Sequence, residues 1–210
     1  MRIDPAGWPF VAAAAALAGV VGALWGGFAA APFVGLALAF LFFFRDPART
    51  PPDDPTLVLA PADGRVLVAG PAEPRAAPPG EWQQVSIFLS PLDVHVNRVP
   101  ASGTVTRVDL RRGRFLPAYH HDAAQANERS EIWLDHGGET IVFRQVVGIM
   151  ARRVVCRIAP GRRVAAGDRF GVMKFGSRMD VFLPVSATLA VSVGDRVIGG
   201  VTVLARFERG

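Results

Sequence analysis

Glu131-Ile132-Trp133-Leu134-Asp135-His136-Gly137-Gly138-Glu139-Thr140-Ile141-Val142-Phe143-Arg144-Gln145-Val146-Val147 is the stretch that decides how this chain folds. It holds two short apolar runs, Glu131–Leu134 and Thr140–Val147, parted by an Asp-His-Gly-Gly break. Runs of this length, rich in β-branched and aromatic residues and bounded by turn formers, predict strands. The same pattern recurs on both sides. Upstream lie Gly64–Ala69, Val85–Leu89 and Gly103–Leu110; downstream lie Arg152–Ile158, Asp180–Leu183 and Ala187–Val193. The turn Val193-Gly194-Asp195 before Arg196–Leu204 predicts a final hairpin. A helical period is confined to the neighbourhood of Ala118–Glu128. Residues 56–210 are therefore expected to form a mainly β, antiparallel domain of sandwich or barrel type.

The front of the chain follows different rules. Trp8 to Phe44 contains 37 residues and no charge, about twice the ~20 needed for one helical span. Gly26, Gly27 and Pro32 interrupt it, which predicts an apolar helical hairpin, residues 8–25 and 30–44, as the membrane anchor of region 1–44. The alanines at 12–16 allow close helix packing. Arg2 precedes the pair and Arg45 and Arg49 follow it, so both ends are expected on the cytoplasmic side of the cell (inner or plasma) membrane, together with the β domain. A cleaved signal peptide is excluded by the length of the run and the lack of a cleavage site after it. Pro47, Pro51, Pro52 and Pro55 make residues 45–55 a linker.

Of 210 residues half are hydrophobic, and the net charge is +5, from 22 arginines and the single Lys174 among the cations. The arginines are scattered and form no stripe interleaved with aromatics. They read as solvated strand faces, with attraction to anionic membrane lipid as the functional side of that charge, and nucleic acid is not an expected partner. The one cysteine, Cys156, can form no intramolecular disulfide and reads as a buried small hydrophobe. There is no metal-spaced Cys/His cluster, Walker loop or dinucleotide fingerprint, so no metal site is expected.

Three segments carry chemistry: Pro61-Ala62-Asp63-Gly64-Arg65-Val66, Ser90-Pro91-Leu92-Asp93-Val94-His95-Val96-Asn97-Arg98-Val99-Pro100, and Lys174-Phe175-Gly176-Ser177-Arg178-Met179-Asp180. Singly, each reads as a turn or a buried histidine. In this order, behind an apolar hairpin, they resemble phosphatidylserine decarboxylase of the short bacterial and archaeal branch. Phe42-Phe43-Phe44-Arg45-Asp46-Pro47, Asn127-Glu128-Arg129, Gly148-Ile149-Met150-Ala151-Arg152-Arg153 and Phe170-Gly171-Val172-Met173 extend the likeness over nearly the whole chain.

The resemblance implies a proenzyme that cuts itself between Gly176 and Ser177. A β chain of residues 1–176 and an α chain of 177–210 would result, with Ser177 converted into an N-terminal pyruvoyl cofactor. Ser177 supplies the attacking oxygen, and Gly176 offers an unobstructed carbonyl. The pyruvoyl ketone would take the amine of phosphatidylserine as a Schiff base and accept the electrons left when CO2 departs, giving phosphatidylethanolamine in phospholipid biosynthesis.

By the same resemblance His95 is the proton-transfer residue and Asp63 orients it. Another branch has a second histidine where this chain has Arg98, so either His95 serves both cleavage and decarboxylation or the cleavage base lies elsewhere. Arg98, Arg129, Arg152 and Arg153 are candidates to hold the lipid phosphate or carboxylate. His120, His121 and His136 are weaker catalytic candidates. The partners implied are phosphatidylserine, anionic membrane lipid, the two chains of one proenzyme, and a further copy of itself. The rivals are a membrane-tethered, non-enzymatic β adaptor, which would stay one polypeptide, a pyruvoyl-dependent decarboxylase of a soluble amino acid, and a pyridoxal-phosphate enzyme built on Lys174.

Overall fold

A computed structural model of the chain describes residues 2–117, 123–148, 154–174 and 177–208. The chain divides into two compact units, one ending at Ala48 and one beginning at Arg49.

In the first unit, α1 (Trp8–Trp25) and α2 (Gly27–Phe43) are joined through Gly26, whose φ of 86° is a left-handed conformation that glycine adopts without strain. A 3-10 turn over Pro5–Gly7 extends α1, capped by the Asp4 carboxylate, which accepts from the Ala6 N–H at 2.9 Å. Pro5–Trp25 spans 21 residues and is long and apolar enough to cross a membrane. The second helix begins at Gly27, three residues before the expected start, with Pro32 inside it. Pro32 is the sixth residue of the helix, and the N–H it lacks would have bonded the Phe28 carbonyl, so the ladder loses one bond there. The ends of the hairpin are tied together. β1 (Arg2–Ile3) pairs with β2 (Arg45–Asp46), and the Asp4 N–H donates to the Phe44 carbonyl. Gly7 packs so closely that a Cβ there would lie 2.5 Å from the Phe44 ring.

The second unit is built from β3 (Leu57–Leu59), β4 (Gly64–Pro71), β5 (Gln83–Leu89), β6 (Val96–Arg98), β7 (Gly103–Arg111), the one-turn α3 (Ala123–Ala126), β8 (Arg129–His136), β9 (Glu139–Val147), β10 (Val154–Cys156), β11 (Arg163–Val164), β12 (Arg169–Met173), β13 (Ser177–Leu183), β14 (Thr188–Leu189), β15 (Arg196–Val197) and β16 (Val203–Arg206). The main sheet has the order β11-β7-β8-β9-β13-β5-β4-β15, and two three-stranded sheets, β10-β12-β6 and β14-β16-β3, accompany it. The strands pair antiparallel, and the protein is mainly β, as expected. The stretch that opened the reading forms the β8–β9 hairpin, with Gly137 and Gly138 at positive φ in its turn.

Alternation gives the main sheet two unlike faces. One carries Val85, Ile87, Leu89, Ile132, Leu134, Ile141, Phe143, Met179, Val181 and Leu183, all fully buried in the core. The β6–β12 side packs on this face: Phe143 meets Phe170 edge to face, ring centroids 5.0 Å apart. Cys156 packs half-buried against the same core, and its burial raises the thiol pKa above the ordinary value.

Two expectations are corrected. The final hairpin does not form. Ser192 to Asp195 is a closed turn, but β15 leaves it to pair with β4, and the chain turns again at Gly199-Gly200, where the Thr202 hydroxyl accepts from the Ile198 N–H. β16 then pairs with β14 and β3. Nor do all strand arginines face solvent. Arg144 and Arg178 are buried on the second face because acidic residues sit opposite or beside them: Arg144 donates to Glu131 at 2.5 Å and Arg178 to Asp180 at 2.6 Å. Ser86, Asp180, Arg144 and Glu131 lie directly opposite one another across four neighbouring strands. Segment 72–82 contributes the Ala76 carbonyl, which accepts from Arg144. Burying these charges unpaired would be costly, so the pairs fix the register of the central strands.

Candidate active site

Ser177 opens β13, the fourth strand from the β15 edge of the main sheet, with β5 on one side and β9 on the other. It pairs with Leu89 and with Val147. The alternation Ser177, Met179, Val181, Leu183 turns its side chain toward the core, while Arg178 and Asp180 turn the other way. Ser177 is fully buried, and its hydroxyl oxygen has no hydrogen-bond partner among the described residues. A hydroxyl rarely accepts burial without a partner, because its lost hydration is not replaced. That makes Ser177 a candidate for chemistry.

His95 reaches the same end of the sheet by topology. β5 leads through residues 90–95 into β6, and β12 leads through residues 174–176 into β13. β5 pairs with β13 and β6 with β12, so the two connections join the same pair of sheets. The Met173 N–H, at the end of β12, donates to the His95 carbonyl at 3.2 Å. The imidazole is fully buried, and its Nδ1 lies 2.9 Å from the Asp93 carbonyl oxygen. A carbonyl only accepts, so neutral His95 holds its proton on Nδ1 and has its basic lone pair on Nε2. Asp93 is fixed in turn: its carboxylate accepts from the Ser90 N–H at 2.8 Å and from Arg196 at 3.2 Å.

Asp63 ends the segment that leads into β4. Gly64 follows it, and a Cβ there would lie 2.2 Å from the Phe88 carbonyl oxygen, so only glycine lets β4 approach β5 at this point. Asp63 thus lies about two strand spacings, roughly 10 Å, from the Ser177 end of β13. Its carboxylate accepts from the Gly199 N–H and from Arg49, each at 2.8 Å. The Arg98 N–H donates to the Pro61 carbonyl at 2.8 Å and ties the same segment to β6. The Arg98 side chain is buried and donates to the Gly167 carbonyl at 3.0 Å, which makes it an anchor of the 165–168 turn.

Arg129 begins β8, directly opposite Arg111 on β7 and Val146 on β9. It is half-buried, and its pKa is lowered first by that burial and then by Arg144 and Arg111. With Arg111, Arg112, Phe115 and Val154 it lines a cleft of about 690 Å³. Like charges set opposite one another across a ladder destabilise it unless an anion sits between them. The cleft borders the Ser177 end of the sheet, since the Val147 N–H donates to the carbonyl of its lining residue Glu128 at 3.1 Å.

The segment matching the phosphatidylserine decarboxylase family model runs over residues 36–205. The chain belongs to the phosphatidylserine decarboxylase family. Relatives bearing the name phosphatidylserine decarboxylase proenzyme include a Pelodictyon phaeoclathratiforme protein, 49% identical over 175 residues and 82% of each chain. One from Salinibacter ruber is 46% identical over 191 residues, 88% of this chain and 82% of its own. One from Nitrosomonas europaea is 41% identical over 203 residues, 96% of this chain and 94% of its own.

Within this decarboxylase-family chain, Gly176, Arg152, Arg153, His120 and His121 lie outside the described residues. His136 occupies the β8–β9 turn, at the opposite end of β8 from Arg129, and its Nδ1 bonds the Ser102 carbonyl. Four polar residues near Ser177 escaped the sequence reading: Asn97, Asn127, Ser130 and Gln145. Asn127 is fully buried; its amide donates to the Leu116 and Val147 carbonyls and accepts from the Leu116 N–H. It was visible only as part of the Asn127-Glu128-Arg129 match. Gln145 and Ser130 sit inside strand runs, where the pattern gives no sign that their neighbours are polar.

Proposed function

We propose that this protein decarboxylates phosphatidylserine to phosphatidylethanolamine, using a pyruvoyl group that it makes from its own Ser177. The observation that carries the reading is the buried Ser177 hydroxyl at the head of a central strand, without a hydrogen-bond partner among the described residues and within the segment that matches the family. Self-cleavage before Ser177 would leave a β chain of 1–176 and an α chain of 177–210. The fold favours retention of the smaller chain. β13 is hydrogen-bonded on both sides, and β16 pairs with β3. Arg178, next to the new terminus, is locked on the far face by Asp180 and by the Ser86 hydroxyl at 2.9 Å.

A pyruvoyl group suits the Ser177 position, because the side-chain oxygen there is buried on the core face with no hydrogen-bond partner among the described residues. That group supplies the electron sink that loss of CO2 from an α-amino acid requires. The chain's own residues do the rest. His95 Nε2 takes the hydroxyl proton of Ser177 in maturation and moves a proton for substrate in turnover, so one histidine serves both steps where Arg98 replaces a second. Asp63 holds the His95 neighbourhood through Gly199 and Arg49. Arg129, with Arg111 and Arg112, holds the phosphate, and Leu110, Phe115 and Val154 give the same cleft an apolar side for the glycerol and acyl chains.

The anchor is the apolar hairpin, with Arg2, Arg45 and Arg49 on the cytoplasmic side of the inner membrane. Detergent-solubilised protein incubated with phosphatidylserine labelled at the serine carboxyl carbon should release labelled CO2. Labelled free aspartate or serine should release none. Release from a free amino acid alone would contradict the lipid assignment.

A further inference from the structure

A buried relay of side chains ends near Ser177 in a donor that has no acceptor among the described residues. Gln145 Nε2 donates to Asn97 Oδ1 at 2.8 Å and approaches the Val155 carbonyl oxygen at 3.3 Å. A carbonyl accepts only, so the Gln145 atom that faces both partners is its NH2 group. Its other end, Oε1, accepts from the Ser130 hydroxyl at 2.7 Å. The amide of Gln145 is therefore held in one orientation, and Asn97 must present its own oxygen to it. That leaves Asn97 Nδ2 pointing elsewhere, fully buried, with no acceptor among the described residues. Room for the pair is made by Gly171, opposite Asn97 on β12, where a Cβ would lie 2.7 Å from Gln145 Nε2.

The register places this donor close to the nucleophile. Gln145 pairs with Met179 and Val147 pairs with Ser177, so all four share the core face and Gln145 is the diagonal neighbour of Ser177. Diagonal neighbours on one face stand about 7–8 Å apart at Cα, and their side chains nearer. Asn97 lies two residues from His95, whose carbonyl accepts from the Met173 N–H where β6 meets β12. Two buried polar atoms without partners among the described residues, one a nucleophilic oxygen and the other an N–H donor, thus lie toward one end of the core.

We propose that Asn97 is a catalytic residue of self-processing, whose Nδ2–H donates to the oxyanion formed when Ser177 attacks the peptide bond before it. This rests on the self-cleavage reading above. In that step Ser177 Oγ gives its proton to His95 and bonds to the carbonyl carbon. The C=O π pair moves onto the carbonyl oxygen, where Asn97 meets it. Collapse breaks the C–N bond, the Ser177 nitrogen takes a proton, and an ester with a free amine remains. A donor near Ser177 that has no acceptor among the described residues is free to serve the transition state more than the ground state.

The test follows newly made full-length chain from cell-free synthesis in detergent, with cleavage read on denaturing gels and ester read by hydroxylamine release. Asn97→Ala and Asn97→Asp are compared with wild type; the aspartate keeps the shape and the acceptor for Gln145 but lacks the donor. Both variants, checked for folding in an uncut Ser177→Ala background, should cleave about 10²–10³-fold more slowly, without accumulating ester. Cleavage at the wild-type rate in either folded variant would overturn the proposal. So would ester accumulating at the wild-type rate, which would place Asn97 after the attack. A wild-type chain that never divides would instead remove the self-cleavage reading itself.

Discussion

The backbone N–H of Met173 donates to the carbonyl of His95 at 3.2 Å, which binds the histidine-bearing connection to the segment that leads into Ser177. Ser177 follows Met173 by four residue steps, a path of at most about 14 Å. Among the described residues His95 is thereby a histidine toward the Ser177 end of the core, with Nε2 as its basic nitrogen. His95→Ala should lower decarboxylation by about 10²–10⁴-fold, measured per mole of divided chain, and should slow division as well. Normal turnover by the divided mutant would remove His95 from the mechanism.

Asp63 accepts one backbone N–H and one guanidinium, both from segments that border the site. Asp63→Ala should slow chain division by about 10–100-fold, the range set by hydrogen bonds to a charged group. A time course of division checks this. A mutant that divides at the wild-type rate would assign Asp63 to the turn alone.

The arginine cleft gives a separable prediction. Arg111→Ala combined with Arg112→Ala should raise KM for phosphatidylserine about tenfold, leave division unchanged and alter kcat little. Removing Arg111 also relieves its opposition to Arg129, so stability should hold or rise by about 0.2–1 kcal/mol. Chemical denaturation of the variant distinguishes this from damage to the sheet. An unchanged KM would place the phosphate elsewhere.

Much of this was legible from local pattern. The Gly137-Gly138 break marked a true hairpin, because two positive-φ glycines and flanking alternation act within a few residues of each other. Gly64 was legible as a turn residue, but its reason was not: the Phe88 carbonyl that excludes any Cβ lies 24 residues away in sequence. The buried arginines were misread for the same reason. Arg144 and Arg178 look like solvent-facing positions in alternating strands, and only the register with Glu131 and Asp180 reveals that they are covered and paired. The last predicted hairpin failed because Gly199-Gly200 redirects the chain and strand partners far off in sequence claim β15 and β16. Ser177, His95 and Asp63 were nameable through the ordered motifs, while Asn97 and Gln145 gain meaning only when β6 crosses the core face of β9.

The hairpin predicts its own assay. Pro5–Trp25 and the second helix are apolar on all sides, with Trp25 and Phe28 exposed at their junction. A chain lacking residues 1–44 should retain the β unit, with its own core, and lose most of its flotation with anionic vesicles. Undiminished flotation would transfer the anchoring role to the β unit.

The central claim is that Ser177 is consumed to make the cofactor, and intact mass measurement of the purified wild-type protein tests it most directly. The account predicts two chains divided between Gly176 and Ser177 with no protease present, the smaller blocked to Edman degradation and converted to an N-terminal alanine by borohydride with ammonium ions, and a Ser177→Ala protein of undivided mass. A folded wild-type chain, in membrane or detergent, that keeps its full mass and an unmodified Ser177 would contradict it.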